Sequence, residues 1–433
     1  MDPSGDIFPI LDRRLRSASP APLAVGLSGG GDSLALLLIV RAWAATHGRR
    51  VIALTVDHGL NPASRDWTAF CADIADRLGI AFQPLAWTGD KPATGLPAAA
   101  REARHGLLAD AAREAGAKVL LLGHTADDLA ESAAMRAGGS TVPDAREWSP
   151  SPVWPRGRDV FLLRPLLAVS RAALRDHLRQ AGETWIDDPA NGDQRFARAR
   201  ARAAQSSPQR GEGDHAEHGG EVSAARAGTT EIPAPTARLR DTPSTSLRLV
   251  SLPTSWGGLI LPRSTPPSTV AMATLCAAGT SRPPRGDSLA NLTRRLRDGE
   301  PFVTTLAGAR IEADGRGITV MRDGGEIAGG RLPPLALRPN ETIIWDGRFE
   351  MATDRTDLTV HALSGLTTKL PARQQALLKA VPAAARPSLP VLVRQDGAAS
   401  CPILAEPPPV RVRALALARF EAATGCVDSE PAP

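Results

Sequence analysis

Tyrosine is absent from this chain of 433 residues, and lysine is nearly so, which leaves arginine to carry almost all of the positive charge. With alanine, proline and glycine abundant, this reads as coding bias as much as selection for arginine chemistry. Arginine number alone is therefore no argument for nucleic acid. The formal net charge of +5 permits such a partner without requiring one. The four cysteines (Cys71, Cys276, Cys401, Cys426) are scattered, and no pair has zinc or redox spacing. They read as reduced or inert thiols in a cytoplasmic protein. Met1–Arg16 lacks the apolar core of a secretory signal. The longest apolar run, Leu34–Val40, is far too short to span a bilayer, so no membrane partner is expected. No internal repeat or heptad pattern is found.

What is present starts with Ser28-Gly29-Gly30-Gly31-Asp32-Ser33, between a short apolar run (Leu23–Leu27) and a long one (Leu34–Val40). That layout predicts strand, tight turn, helix. Three glycines strip the turn of Cβ atoms, so its backbone can take positive φ and approach a ligand closely. The helix start supplies unpaired N–H groups and the positive end of a dipole. Ser28 and Ser33 add hydroxyl donors on either side. The sum is an anion cradle of phosphate size. A Walker loop would need a lysine, and none is here. The hexapeptide resembles the PP-loop of the ATP pyrophosphatases, which cleave ATP between its α- and β-phosphates.

Further strands are predicted at Val51–Val56, Ile80–Leu85 and Val119–Leu122, with helices between them. Trp67, Phe70, Cys71, Ile74, Ala75 and Leu78 fall at helical spacing on one face. Alternation of this kind predicts an α/β fold, a doubly wound parallel sheet with ligands at the carboxyl ends of its strands. The glycine turn, Asp57-His58 and His124 all follow strand ends. Gly138–Arg158, rich in Pro, Ser and Trp, reads as a surface loop, with Trp148 and Trp154, that covers the site or meets a partner. A helix over Ser170–Ala181 carries Arg171, Arg175 and Arg179 as a stripe, equally suited to a solvated face and to a phosphate backbone.

Three units are expected: a catalytic domain over 1–203, a low-complexity segment over 204–267, and a smaller α+β domain over 268–433. The middle segment is dense in Ser, Thr, Pro, Gly and Arg and lacks periodicity, so it reads as disordered or inserted. In the last unit, Leu289, Leu292 and Leu296 mark a helix. Strands are expected at Phe302–Leu306, Ala309–Glu312 and Ile318–Met321, and Asp346-Gly347 signals a two-residue hairpin.

Asp57 and His58 end the second strand, where a nucleotide site faces its adenosine; a turn cap is the plainer explanation. Arg101 and Arg104 share a helix face and can clamp phosphate. Gly123-His124-Thr125-Ala126-Asp127-Asp128-Leu129-Ala130-Glu131 sets a histidine at a strand end and three acids in the next helix. Helix capping alone does not need so many acids. The cluster suits Mg²⁺ or the ammonium of an amine substrate.

Ser28–Ser33, Val56–Leu60, Ala100–Arg104 and Gly123–Ser132, in this order, are similar to the tRNA(Ile)-lysidine synthetases. Trp185–Asn191 with Arg198 extends the likeness, which covers about 20–203 well and resumes more weakly over about 270–353. His105 stands where the family often has an aromatic residue. The resemblance implies an ATP-dependent ligase that joins free L-lysine to C2 of the wobble cytidine of CAU-anticodon tRNA(Ile), through an adenylated tRNA. It implies that Ser28, Gly29, Gly30, Gly31, Asp32 and Ser33 hold ATP, with Asp57 and His58 nearby and Asp32 beside Mg²⁺. Arg101 or Arg104 would face the α-phosphate, and His124 that phosphate or the base. Asp127, Asp128 and Glu131 would seat the lysine amine. Arg171, Arg175, Arg179, Arg195, Arg198 and Arg200 become candidates for the tRNA backbone, and a homodimer is compatible. Two alternatives stay open: a thiolase-like PP-loop enzyme, disfavoured by the lack of Cys-x-x-Cys, and a decayed RNA-binding homologue.

Overall fold

A computed structural model describes residues 3–139, 144–187, 256–330 and 332–432. The first half is built on a six-stranded sheet in the order β3-β2-β1-β4-β6-β5. Its strands are β1 (Leu23–Gly26), β2 (Val51–Asp57), β3 (Ala81–Ala86), β4 (Val119–Leu121), β5 (Trp148–Pro150) and β6 (Phe161–Leu163). All neighbours run parallel except the edge strand β5. This is the predicted α/β architecture, with one antiparallel edge added.

Helices cover both faces, and residue alternation along the strands shows why. Leu23, Val25, Val119, Leu121 and Leu163 join one core with α1 (Ser4–Arg14), α2 (Gly31–Thr46), α3 (Ser64–Arg77) and α6 (Arg171–Gln180). Ala24, Leu120 and Leu162, one step along, join the opposite core with Leu108, Ala111 and Ala112 of α4 (Leu96–Glu114). Strands buried on both faces read as continuous apolar runs, as these do. α2 is apolar nearly all round because it lies between the sheet and both α1 and α6. The order of strands reverses between β1 and β4, and the crevice there is where such sheets bind ligands. α5 (Ala126–Ala137) starts directly after β4, at that crevice.

The second half carries three antiparallel sheets. The first has the order β7-β10-β9-β8, with β7 (Leu259–Leu261), β8 (Phe302–Leu306), β9 (Ala309–Ala313) and β10 (Ile318–Arg322). The second, β11-β14-β15-β16, is made of β11 (Leu335–Ala336), β14 (Leu358–Ala362), β15 (Pro390–Arg394) and β16 (Ala399–Ser400). The third, β12-β13-β17, is made of β12 (Thr342–Trp345), β13 (Phe349–Ala352) and β17 (Arg411–Ala414). The expected helix is found at Gly286–Asp298, and β8–β10 match the predicted strands. Two expectations are corrected. The stretch read as low-complexity is ordered from its Trp256 onward: Trp256 is buried, and β7 (Leu259–Leu261) pairs with β10. Residues 204–255 lie outside the described residues. The hairpin loop at Asp346-Gly347 has three residues, since Trp345 pairs with Phe349. Arg348 leaves the ladder and turns inward, donating to the Ser388 carbonyl at 2.6 Å and to Asp346.

Of Gly138–Arg158, residues 140–143 lie outside the described residues. The part from 144 on is not a free loop but contains β5, and its tryptophans join the two halves. Trp148 stacks on Phe161 and donates to the Val427 carbonyl, while Trp154 donates to the Gly347 carbonyl under the Arg419 guanidinium. An ion pair between Arg49 and Glu430, with both side chains essentially inaccessible, closes the same seam at 2.8 Å. Glu430 also accepts from the Arg16 amide at 2.9 Å, and its own N–H donates to the Arg14 carbonyl.

Candidate active site

The glycine turn is a cradle whose serines work on the loop itself. Ser33 Oγ donates to the Gly30 carbonyl at 2.9 Å and accepts from the Ser28 amide at 3.1 Å. Its proton is thereby committed, so Ser28 Oγ donates to Ser33 Oγ at 3.1 Å. Ser33 is buried, and its hydroxyl organises the cradle from within. The glycines are not equivalent either. Gly29 has φ +81°, and a Cβ there would meet Ile186 Cδ1 at 2.6 Å. Gly30 and Gly31 have no such conflict: an added Cβ would find its nearest neighbour at 3.5 Å. At Gly30 the missing side chain leaves room for a ligand, whereas Gly31 faces Trp185 and Leu178 at ordinary contact distance. The Ile186 amide also donates to the Gly29 carbonyl at 2.9 Å, and Trp185 packs over Gly31. Trp185 and Ile186 thus back the cradle, a role the sequence did not single out.

Gly123, at the end of β4, allows the second close approach. A Cβ there would lie 3.0 Å from the backbone of Asp32. The chain after β4 therefore abuts the cradle helix, which brings His124 and α5 to the crevice. Thr125 caps α5, and both its N–H and its hydroxyl donate to Asp128 Oδ2, at 2.9 and 3.1 Å. This is a capping box. Asp127 Oδ2 accepts the first amide of α6, that of Arg171, at 2.8 Å. Capping thus accounts for part of the acid cluster, but the rest converges on one side chain. The Arg171 guanidinium reaches Glu131 Oε1 at 2.6 Å, Asp128 Oδ1 at 2.8 Å and Asp32 Oδ2 at 3.2 Å, each through a different nitrogen. Burial holds the Asp32 carboxyl above its ordinary range, against the lowering pull of Arg171. Arg171 is consequently committed to the acids and not offered to an RNA backbone. Arg175 and Arg179, exposed on α6, pair with Asp187 and Asp176. Arg195, Arg198 and Arg200 lie outside the described residues.

The opposite wall is cationic. Arg101 and Arg104 stand on the second and third turns of α4, a helix that packs on β2, β3 and β4. Arg164 follows β6 directly and, one step past Leu163, returns to the α4 side of the sheet. It is buried, donates to the Arg146 carbonyl and to Ser149 Oγ, and pairs with no carboxylate among the described residues. Burial, then Arg101, lowers it to about 10. His105, also buried, is pushed down to about 3 by desolvation, then by Arg104, Arg101 and Arg164. His58 is lowered by burial and by Arg104 and lies edge-on to Trp87. Asp57 turns back on its own loop: Oδ1 accepts from Gly59 at 2.7 Å, and this bond is the main cause of its lowered pKa. The plainer reading, a turn cap, holds for its carboxylate. Sequence reasoning missed Arg164, whose only signal is an arginine ending the apolar run Val160–Leu163. It also misassigned Arg171, because nothing local tells a helix-stripe arginine from one that reaches the acids of two other helices.

A switch-point crevice with a phosphate cradle on one strand end, cations on one wall and acids on the other defines an ATP-utilising PP-loop protein. The PP-loop domain family matches residues 10–206. The chain is 51% identical to the tRNA(Ile)-lysidine synthase of Caulobacter vibrioides, over 97% of both chains. It is 32% identical to that of Rhizobium meliloti over 79% of this chain and 76% of the other. For the Bradyrhizobium sp. enzyme of the same name the figures are 43% identity, 43% of this chain and 52% of the relative. The chain belongs to the tRNA(Ile)-lysidine synthase family. No helix among the described residues is long and apolar enough to cross a membrane.

Proposed function

We propose that this chain converts the wobble cytidine of CAU-anticodon tRNA(Ile) to lysidine, with ATP and free L-lysine as co-substrates. In the first step the cytidine O2 attacks the α-phosphorus of ATP and pyrophosphate leaves. In the second, the lysine ε-amine attacks C2, and AMP departs with the oxygen. The observation that carries this reading is the two-walled crevice: a phosphate cradle flanked by cations and by carboxylates suits a reaction in which an amine displaces a phosphate ester from an activated base.

Each wall has its task. The cradle of Ser28–Ser33 holds the leaving pyrophosphate on backbone N–H groups at the start of α2. Arg101 and Arg104, with Arg164 behind them, offset charge as it grows on the α-phosphate; removing one such donor typically slows a reaction by about a hundredfold or more. His124 stands where the α-phosphate or the attacking base arrives. Asp127, Asp128 and Glu131 draw in the lysine ammonium and take its proton, since only the neutral amine attacks. Asp32 fits a Mg²⁺ ion that takes most of its ligands from nucleotide phosphates and water, and the ion would neutralise phosphate charge. Among the described residues no group of three or more His, Cys, Asp or Glu is placed to hold a metal alone.

The test is AMP formation by the purified protein with ATP and CAU-anticodon tRNA(Ile), with and without lysine. AMP that depends on both tRNA and lysine, with lysine joined to the tRNA, is the expected result. ATP binding without AMP under any amino acid would overturn the reading.

A further inference from the structure

We propose that Arg171 is the positioning residue of the lysine-transfer step: it gathers carboxylates from two helices into one bowl. The inference rests on the function proposed above and deepens it. Three guanidinium nitrogens each take a different carboxylate, Asp32 from α2 and Asp128 and Glu131 from α5, while the Arg171 amide takes Asp127. Acids gathered this closely repel one another. A planar, permanently charged fork offsets that repulsion and fixes the directions of three of them; a lysine side chain is a point charge and cannot. The bowl is half closed, since the Arg171 side chain is 16% exposed and that of Glu131 only 1%.

The lengths rank the contacts. Glu131 and Asp128 are held at 2.6 and 2.8 Å, and Asp32, next to the cradle, at 3.2 Å. Disturbing the guanidinium therefore falls first on the acids of α5, which serve the amine, and less on the cradle, which serves ATP. α5 and α6 are also tied near their starts, where the Ala126 amide donates to the Val169 carbonyl and Asp127 accepts the Arg171 amide. The Arg171 guanidinium adds the link that sets Asp128 and Glu131 of α5 against Asp32 of the cradle helix.

Two rates separate this role from general support of the fold. Pyrophosphate release without lysine reports adenylation of the tRNA, and AMP release against lysine concentration gives KM and kcat for the second step. Arg171→Lys is expected to raise the KM for lysine roughly tenfold or more while adenylation changes less than about threefold. Arg171→Ala, with added guanidinium ion, is expected to recover part of the lost lysine affinity. An unchanged KM for lysine in Arg171→Lys overturns the proposal. So does a parallel loss of adenylation and transfer, or loss of ATP binding in both variants, each of which makes Arg171 a purely structural link. Failure of the wild-type chain to release AMP with lysine would instead overturn the function itself.

Discussion

Gly29 and Gly30 are neighbours that differ in what an added methyl group would meet. At Gly29 the backbone is left-handed and Ile186 Cδ1 would lie 2.6 Å away; at Gly30 φ is −71° and the nearest atom, Ser28 Oγ, 3.5 Å away. Gly29→Ala is expected to cost about 1–3 kcal/mol of stability in thermal or denaturant unfolding, together with ATP binding. Gly30→Ala is expected to stay within about 0.5 kcal/mol of wild type. Its loss appears in the KM for ATP, because the new methyl enters the cradle. His105 makes a pH prediction. Its folded pKa, about 3, lies below the ordinary 6.5, so the folded state prefers the neutral ring. The contribution is complete above pH 6.5 and is lost as pH falls from there toward 3. His105→Phe, which cannot titrate, should therefore gain about 2 kcal/mol on the wild type between pH 7 and pH 5 in paired unfolding curves. A flat difference would show that His105 finds a proton-accepting partner. At this scale the sequence shows residues that carry chemistry within one short motif, such as Asp32 or His124. It hides Arg171, Arg164 and His105, whose surroundings are assembled from separate elements.

Elements were legible wherever apolar period and turn chemistry agreed. β1 to β4 lie within a residue or two of their predicted positions: β1 and β4, buried on both faces, leave unbroken apolar runs, and β3, a partly exposed edge strand, is bracketed by the helical patterns on either side. β5 escaped because Trp148–Pro150 is a short edge strand with a proline, ordered by what stacks on it rather than by its own pattern. The hairpin after β12 was legible in its turn but not in its length. Asp346 and Gly347 both take positive φ, as their residue types suggest, yet Arg348 joins the loop because its side chain has an interior site to fill. The turn also presses on another backbone: a Cβ on Gly347 would meet the Gly279 carbonyl oxygen at 2.1 Å, and one on Gly279 would meet that of Asp346 at 2.0 Å. Gly347→Ala is expected to destabilise the second half by about 3 kcal/mol. ATP binding by the first half should survive, and calorimetry with and without ATP would show a lowered transition that ATP does not restore. Equal loss of ATP binding would mean that the two halves unfold as one.

Across the whole molecule, the two halves are locked by contacts no local pattern announces. Arg49 and Glu430 form a buried pair that hydrogen bonds further to the Ala21 carbonyl and the Arg16 amide. Glu430→Gln removes the countercharge and leaves a guanidinium in a dry seam. Breaking a buried pair from one side commonly costs about 3–5 kcal/mol, and a lower melting temperature is expected. Arg49→Met with Glu430→Leu should cost less than the single change, because no charge is stranded; the reverse order would show that the seam is wet. The separation of 381 positions between the partners also sets a clock on synthesis. At cellular elongation speeds, Glu430 is made roughly 20–80 s after Arg49. For that interval the nascent catalytic sheet carries a cation with no countercharge, and the seam closes only when one of the last residues of this chain arrives.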